Sequence, residues 1–279
     1  MSPFFALLSA VLVGGADFLG GLASRRGWAV RVAARAQGIG FVVSLPVAAV
    51  LGADRLTASD AGWSIASGVA VGVGLALFYT AMALGQISVA APSAAVAGAL
   101  LPVGVGLARG ERPGAAALVG IAAAIVAIGV VSLAPAHESG GDTAGRALVL
   151  ALLAGLCFGV FYVSLSQVGR EAGLWPVSLS RGASSGLLGL VVATLGRDQP
   201  PGRGLVRLTA SVGVLEVAAV IALLIAFRHG TLAIAAVLAS LYPVTTVLLA
   251  RVVLHERLTR LQLAAVGLAL VAVALVSTG

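Results

Sequence analysis

The feature that most constrains this chain is a succession of ten apolar runs separated by short polar breaks. A transmembrane helix needs about 20 mostly apolar residues, and a segment in lipid must satisfy its backbone hydrogen bonds internally. We therefore predict an all-α, polytopic membrane protein with ten transmembrane helices. The predicted spans cover residues 3–22, 30–51, 61–84, 89–108, 114–134, 146–168, 175–196, 207–228, 232–254 and 259–277.

Composition favours the same class. Apolar residues make up 60% of the 279 residues and charged residues 10%, whereas a soluble domain carries about 25% charged residues. We interpret the first run as a membrane span and not as a cleaved signal, because the apolar runs continue along the whole sequence. The single cysteine, Cys157, excludes an intrachain disulfide. The three histidines lie in different loops without metal-ligand spacing, so we predict neither a metal site nor a cofactor.

The net charge of +7 comes from 17 arginines and 10 acidic residues, with no lysine. The arginines lie in short breaks between apolar runs, where lipid headgroups and insertion topology explain them. The sequence has no basic patch studded with aromatic residues, so nucleic acid is not an expected partner. Loops on the N-terminal side of the predicted bundle hold five arginines and loops on the opposite side hold ten, which favours both termini outside the cell.

The second half of the chain repeats the first at an offset of 145 residues. Residues 110–132 and 255–277 are identical at eight of 23 positions, and no gap is needed to align them. The echo extends along the chain through further pairs: Gly14 with Gly159, Gly68 with Gly213, Gly85 with Gly230 and, with one inserted residue, Arg35 with Arg181.

Five spans per half is an odd number, so the second half must enter the membrane from the opposite side. We therefore predict two inverted five-helix repeats, at residues 1–135 and 146–279, joined by a loop at 136–145. Inverted repeats are a recurrent architecture of secondary transporters, in which the substrate site lies near the bilayer midplane between the repeats.

These motifs resemble the EamA domain of the drug/metabolite transporter superfamily. In the first half the pattern is Gly85, Val89-Ala90-Ala91-Pro92, Leu101-Pro102 and Gly110-Glu111-Arg112; in the second it is Gly230, Tyr242-Pro243-Val244 and His255-Glu256-Arg257-Leu258. The segment Gly14 to Gly27 also resembles the first helix of bacterial members. The resemblance implies two inverted five-helix repeats in the bacterial inner membrane, both termini inside, and export or exchange of small metabolites such as amino acids, or of drugs. His255 departs from the family pattern, which has glycine at this turn.

Two acidic residues lie within predicted spans. Glu216 lies near the middle of the eighth run, and Asp17 lies in the last third of the first. An ionisable residue at such a place costs about 2.5–3.5 kcal/mol on insertion scales and is a functional hypothesis by default. A carboxyl group in a low-dielectric cavity can exchange protons near neutral pH, which would couple substrate movement to a proton gradient. The alternative is a structural role, in which each acid pairs with an arginine or caps a broken helix.

Arg35 and Arg181 each lie about one turn inside a predicted span. Snorkelling of the side chain to the membrane interface is the cheaper explanation for both. The alternative is that one of them pairs with Asp17 or binds a substrate carboxylate.

Three tyrosines and two serines are weaker candidates for a polar pathway. A hydroxyl that lipid cannot satisfy favours a position facing a polar cavity, although an interfacial belt or simple packing explains the tyrosines equally well. Pro243 adds to the case for its neighbouring tyrosine, because proline removes a backbone hydrogen bond and frees a carbonyl. The serines can instead bond to their own helix. The residues concerned are Tyr79, Tyr162, Tyr242, Ser93 and Ser240.

The Glu-Arg pairs of the repeated motif are predicted to fix turns. Glu111-Arg112 and Glu256-Arg257 open the fifth and tenth predicted helices, and a glutamate at a helix N-terminus is favoured by the helix macrodipole. Pro92, Pro102 and Pro243 belong to the same structural motif.

The sequence therefore favours a secondary active transporter that exports a small-molecule substrate by alternating access, with protons as the candidate coupling ion. A multidrug efflux transporter is the first alternative; an integral-membrane enzyme or a scaffold is more distant. No P-loop or soluble ATPase domain is visible in the sequence, which excludes a primary pump. Formation of a homodimer is left open.

Overall fold

The structure is a computed structural model that describes residues 2–53, 55–108, 114–133, 141–195, 202–229 and 241–276. Every regular element of the described residues is helical, which confirms that the fold is all-α. A short 3-10 turn, Arg170–Ala172, joins two of the helices. The α-helices are α1 (Ser2–Ser24), α2 (Ala29–Leu51), α3 (Ala58–Leu84), α4 (Ile87–Ala108), α5 (Ala115–Leu133), α6 (Gly141–Leu165), α7 (Trp175–Leu195), α8 (Arg203–His229), α9 (Tyr242–Val253) and α10 (Arg260–Val276).

The helices have the length and composition of a multi-pass membrane protein. Six of the described helices, α1, α2, α3, α6, α7 and α8, are long and apolar enough to cross a bilayer. Large apolar side chains such as Val42, Val50 and Leu195 cover the outer surface, 69%, 84% and 72% exposed. A soluble protein would not present so much apolar surface to water, whereas lipid solvates it. The predicted ninth span is described only from residue 241 onward, so the count of ten spans stays a prediction.

The start of the last helix corrects one prediction. Glu256 does not open α10, which begins at Arg260. Thr259 and Gln262 form the capping box instead: the N–H of Gln262 donates to the Thr259 hydroxyl at 3.1 Å, and the N–H of Thr259 donates to the Gln262 side chain at 2.9 Å. Glu256 caps a different helix, α4, because the chain folds its carboxylate against the N–H groups of Ile87 and Ser88. Glu111 and Arg112 lie outside the described residues.

The most extensive packing is between helices of the first and second halves. In one set, α1 packs against α8 and α9; in the other, α6 packs against α3 and α4. The two sets correspond when each helix is replaced by the helix at the same place in the other half: α1 by α6, α3 by α8 and α4 by α9. The remaining contacts between the halves include α2 on α7 and α5 on α10. Each of these joins two helices at the same place in the two halves.

Glycines at matching positions permit these contacts. A methyl group on Gly68 of α3 would overlap the Ser180 carbonyl and lie 2.8 Å from Ala183 Cβ of α7. On Gly213 of α8 it would lie 2.6 Å from the Ala36 carbonyl and 3.0 Å from Ile39 Cβ of α2. Small residues let helix backbones approach closely, which is how helices associate without a hydrophobic driving force.

Hydroxyl groups join the same helices. The Ser67 hydroxyl of α3 donates to that of Ser180 at 3.1 Å, and the Ser178 hydroxyl of α7 donates to that of Ser44 at 3.1 Å. The Thr246 hydroxyl of α9 donates to the Gly14 carbonyl of α1 at 3.2 Å. Such bonds between transmembrane helices contribute about 0.6 kcal/mol each on average. They stabilise the contacts that the glycines permit.

Gly213→Ala is expected to destabilise the protein by about 1–3 kcal/mol, because overpacking at a close contact forces the backbones apart. Gly189→Ala on α7 is the matched control, since an added methyl there meets no described atom within 4 Å and alanine is the better helix former. Thermal unfolding of the purified protein in detergent measures both changes. Equal melting temperatures for the two variants would contradict the close packing of α8 on α2.

Candidate functional site

A buried ion pair lies between two of the packed helices. The Arg181 guanidinium of α7 donates from Nη1 to Glu216 Oε2 of α8 at 2.6 Å, and the two side chains are only 10% and 15% exposed. Gln37 of α2 donates from Nε2 to the same carboxylate oxygen at 3.1 Å. Glu216 Oε2 therefore accepts one bond from a cationic partner and one from a neutral amide.

The ion pair depends on space that α2 leaves free. Gly40 lies three residues after Gln37, on the same face of the helix. A methyl group on Gly40 would lie 3.3 Å from both Cδ and Cζ of Arg181, so the guanidinium packs directly on the α2 backbone. The expectation that Arg181 snorkels to the interface is therefore wrong. Its side chain turns inward because a buried carboxylate lies within its reach.

Asp17 is the second intramembrane acid, and it has no such partner. It lies half-buried on α1 and makes no hydrogen bond or ion pair with any of the described residues. Asp17 lies close enough to Glu216 for the two charges to interact. A carboxylate without a partner is costly in a low-dielectric environment. Asp17 is thus the group in this region that a proton or a cationic ligand would stabilise most.

Three tyrosines lie close enough to Asp17 to interact with it electrostatically. Tyr79 of α3 is fully buried and packs against Gly20, one turn from Asp17 on α1. It interacts electrostatically with both acids and with Arg181. Tyr162 of α6, which is 52% exposed, and Tyr242 of α9 interact electrostatically with Asp17 and with each other. We call the six residues from six helices the central cluster: Asp17, Tyr79, Tyr162, Arg181, Glu216 and Tyr242.

Three buried polar atoms beside these acids have no hydrogen-bond partner among the described residues. They are Tyr79 Oη, Arg181 Nε and Ser184 Oγ. Ser184 lies one turn after Arg181 on α7, and Gly72 of α3 packs against its hydroxyl. A buried polar atom without a partner costs about 1–3 kcal/mol. All three can donate a hydrogen bond, so the arrangement can bind the oxygen atoms of a ligand.

The other predicted pathway residues lie apart from this cluster or outside the described residues. The Ser93 hydroxyl donates to the Val89 carbonyl of its own helix at 2.8 Å. Pro92 and Ser93 line a small crevice between α4, α5 and α10. Arg35 is half-buried near Arg31, and no described residue pairs with it. Pro243 is buried in the first turn of α9. Ser240 and the side chain of Pro102 lie outside what the structure describes.

Sequence reasoning missed Gln37, Gly40 and Ser184. The contacts of Gly68 and Gly213 align Ser180 with Ala36, which places Gln37, and not Arg35, at the position that corresponds to Arg181. An amide in an otherwise apolar run was the available signal for Gln37. Gly40 and Ser184 carry no distinguishing signal, because small residues are common throughout the spans.

The comparison with protein families decides the class of the second half. The profile of the EamA-like transporter family matches residues 145–278. Residues 145–278 belong to the EamA-like transporter family. For the second half of the chain, this confirms the resemblance to the EamA domain of the drug/metabolite transporter superfamily.

Solved structures support the fold over the whole chain. One of them, described only as "Crystal structure of protein", aligns with 99% of this chain and 96% of its own at a TM-score of 0.66 and 17% identity. At that identity the likeness shows the fold alone. No curated protein is significantly similar to the chain.

Arg181→Leu is expected to destabilise the protein by about 3–5 kcal/mol, because it leaves the Glu216 carboxylate buried without its cation. Adding Glu216→Gln to this variant should recover much of the loss, since no buried charge then lacks a partner. Unfolding in mixed detergent micelles gives the free energy for both single variants and for the double variant. Additive losses would contradict direct pairing of the two side chains.

Proposed function

We propose that the protein is a secondary active transporter of the drug/metabolite type that exports a small metabolite, such as an amino acid, by alternating access. The observation that carries this proposal is the central cluster, which places two carboxyl groups, an arginine and three tyrosines within a bundle of membrane helices. Ionisable residues at such depth mark substrate and proton pathways. Membership of residues 145–278 in the EamA-like transporter family supports the same function.

Packing between the halves supports alternating access. The central cluster takes residues from α1 and α3 of the first half and from α6, α7, α8 and α9 of the second. The contacts of α1 with α8 and α9 match those of α6 with α3 and α4. Such an exchange of contacts is what an inverted repeat predicts. Two halves that meet at one polar site can rock about it and expose it to each side of the membrane in turn.

The polar groups suit a zwitterionic substrate. Asp17 offers a carboxylate to an ammonium group. Arg181 Nε, the Ser184 hydroxyl and the Tyr79 hydroxyl offer unpaired donors to a carboxylate. The multidrug alternative relies on fewer of these groups, because a lipophilic cation needs Asp17 and the tyrosine rings but leaves the donors unpaired. A zwitterion would therefore bind both the Asp17 carboxylate and the unpaired hydrogen-bond donors.

Proton coupling is assigned to Asp17 in this proposal. Glu216 is paired with Arg181 and receives a further bond from Gln37, so protein groups already bind its carboxylate. Asp17 has no described partner, so its charged form is stabilised only by what the site binds. A proton and a substrate ammonium group would then occupy Asp17 in alternation.

Cells that express the wild type are expected to resist toxic amino-acid analogues, and Asp17→Asn should abolish this resistance. Asp17→Asn is a cleaner test than Glu216→Gln, because Glu216→Gln leaves Arg181 buried without its partner. Asp142→Asn on the exposed start of α6 is the matched control and should keep resistance. Growth on a panel of analogues and lipophilic cationic drugs measures the outcome.

The panel separates the alternatives. Resistance to the cationic drugs would favour multidrug efflux over metabolite export. An absence of any resistance from well-expressed wild-type protein would contradict the proposed export.

Flux of the substrate found in this way is expected to depend on a pH gradient in proteoliposomes. One proton exchanged per substrate sustains about a tenfold concentration ratio per pH unit. Asp17→Asn should make flux independent of the gradient, because asparagine does not exchange a proton. Radiolabelled substrate and a fluorescent pH indicator measure the two fluxes. Gradient-driven transport by Asp17→Asn would remove Asp17 from the coupling mechanism.

A further inference from the structure

A second ion pair joins the two halves of the chain at one end of the bundle. Arg25 follows the last residue of α1, and Glu256 lies in the turn between α9 and α10. Arg25 Nη2 donates to Glu256 Oε1 at 2.7 Å. Arg25 lies eight residues beyond Asp17, about 12 Å further along the helix axis. We call this pair the terminal ion pair and the membrane face on which it lies the α4 face, because α4 begins there.

Glu256 caps α4 from outside that helix. Its Oε1 accepts the N–H of Ile87 at 3.1 Å, and its Oε2 accepts the N–H and the hydroxyl of Ser88 at 3.0 and 2.7 Å. The first N–H groups of a helix have no intrahelical partner, and the helix macrodipole favours a negative charge there. Both oxygens of Glu256 are therefore bound by an element of the opposite half, and the residue is only 7% exposed.

Arg25 binds the end of α3 at the same time. Its Nε donates to the Met82 carbonyl at 3.2 Å, and its Nη2 donates to the Gly85 carbonyl at 3.0 Å. The C-terminus of a helix carries unpaired carbonyls that favour a cation. The terminal ion pair thus connects the ends of α1 and α3, the start of α4 and the turn between α9 and α10.

The backbone around Glu256 is adapted to this contact. His255 has a φ of 55°, the left-handed conformation that favours glycine. The turn therefore forms although histidine replaces the glycine of the family pattern. A second contact between the halves lies beside it, because Gln86 Nε2 donates to the Arg257 carbonyl at 3.1 Å.

The two ion pairs differ in their access to water. The Arg181 and Glu216 side chains are 10% and 15% exposed, so both charges of that pair are largely shielded from water. The Arg25 side chain is 30% exposed while the Glu256 side chain is 5% exposed. Separation at the α4 face therefore lets water reach both charges at once. This lowers the cost of breaking the terminal ion pair relative to the buried one.

We propose that Arg25 and Glu256 form the gate that keeps the central cluster closed to the α4 face, and that the gate opens when the two halves separate there. This inference rests on the alternating access of the proposed function. In the closed state the guanidinium and the carboxylate hold helix ends of both halves together. In the open state water replaces the contacts between them.

Accessibility of a cysteine within the bundle tests the gate. Ser184→Cys, in a chain in which Cys157→Ser removes the native thiol, places a thiol beside the central cluster. A membrane-impermeant maleimide is applied to sealed vesicles of each orientation, so that labelling from the two faces is measured separately. Glu256→Gln and Arg25→Gln are expected to raise the labelling rate from the α4 face roughly tenfold, which corresponds to the loss of one charged hydrogen bond.

Controls separate the gate from a general charge effect. Arg26→Gln removes the same charge from the neighbouring exposed residue and should leave the rate unchanged. Asp60→Asn alters a contact between the halves at the opposite face, where Asp60 Oδ1 accepts the N–H of Gly169 at 2.8 Å; it should not raise labelling from the α4 face. Arg25→Lys keeps the charge but loses the carbonyl bonds, so it reports on the gate should Arg25→Gln fail to insert.

Unchanged labelling in a folded variant, or an equal increase from both faces, would overturn the gate. The double variant Arg25→Gln/Glu256→Gln should label no faster than the faster single variant, because both substitutions break one contact. Transport with unchanged labelling would leave the proposed function standing without this gate. Faster labelling in a protein that transports no compound of the panel would support the gate and contradict the transport function.

Discussion

The pairing of Arg181 with Glu216 is the interaction on which the rest of the site depends. Two charges are removed from water within a membrane bundle, and a contact of 2.6 Å with an additional amide donor stabilises them. Such pairs are sensitive to geometry because their desolvation cost is several kcal/mol per ion. The close contact of Gly40 with the guanidinium follows from this requirement. The ion pair thereby ties α2, α7 and α8 to one arrangement.

The pairing of Arg181 with Glu216 decides which polar groups near it are left without a partner. Because Glu216 is bound by Arg181, Asp17 is the intramembrane acid whose charge no described residue compensates. Among the described residues, the hydroxyl of Tyr79, whose ring packs against Gly20 one turn after Asp17, and Arg181 Nε are buried without partners. A bundle that kept these groups only for stability would satisfy them internally. A transporter instead requires groups that water, a proton or a substrate satisfies in turn.

Much of the fold could be predicted from the sequence, and part of the site could be too. The apolar runs predicted the helices, since each run must satisfy its backbone internally in lipid. Asp17 and Glu216 were found because charges in apolar runs are rare. Arg181 was assigned to the interface because its spacing alone favours snorkelling. Gln37 was missed because its partner lies 179 residues away in the sequence.

The sequence by itself determined that this chain forms apolar helices in a membrane, that motifs of the first half recur in the second, and that two acids lie within the apolar runs. Only the tertiary structure decided which charges neutralise each other and which helix Glu256 caps. The reason is that composition and periodicity report on the structure of one segment at a time, and not on contacts between segments. The bonds of Glu256 to Arg25 and Ser88, and that of Gln37 to Glu216, join residues on different helices. Such contacts exist only once the helices have packed.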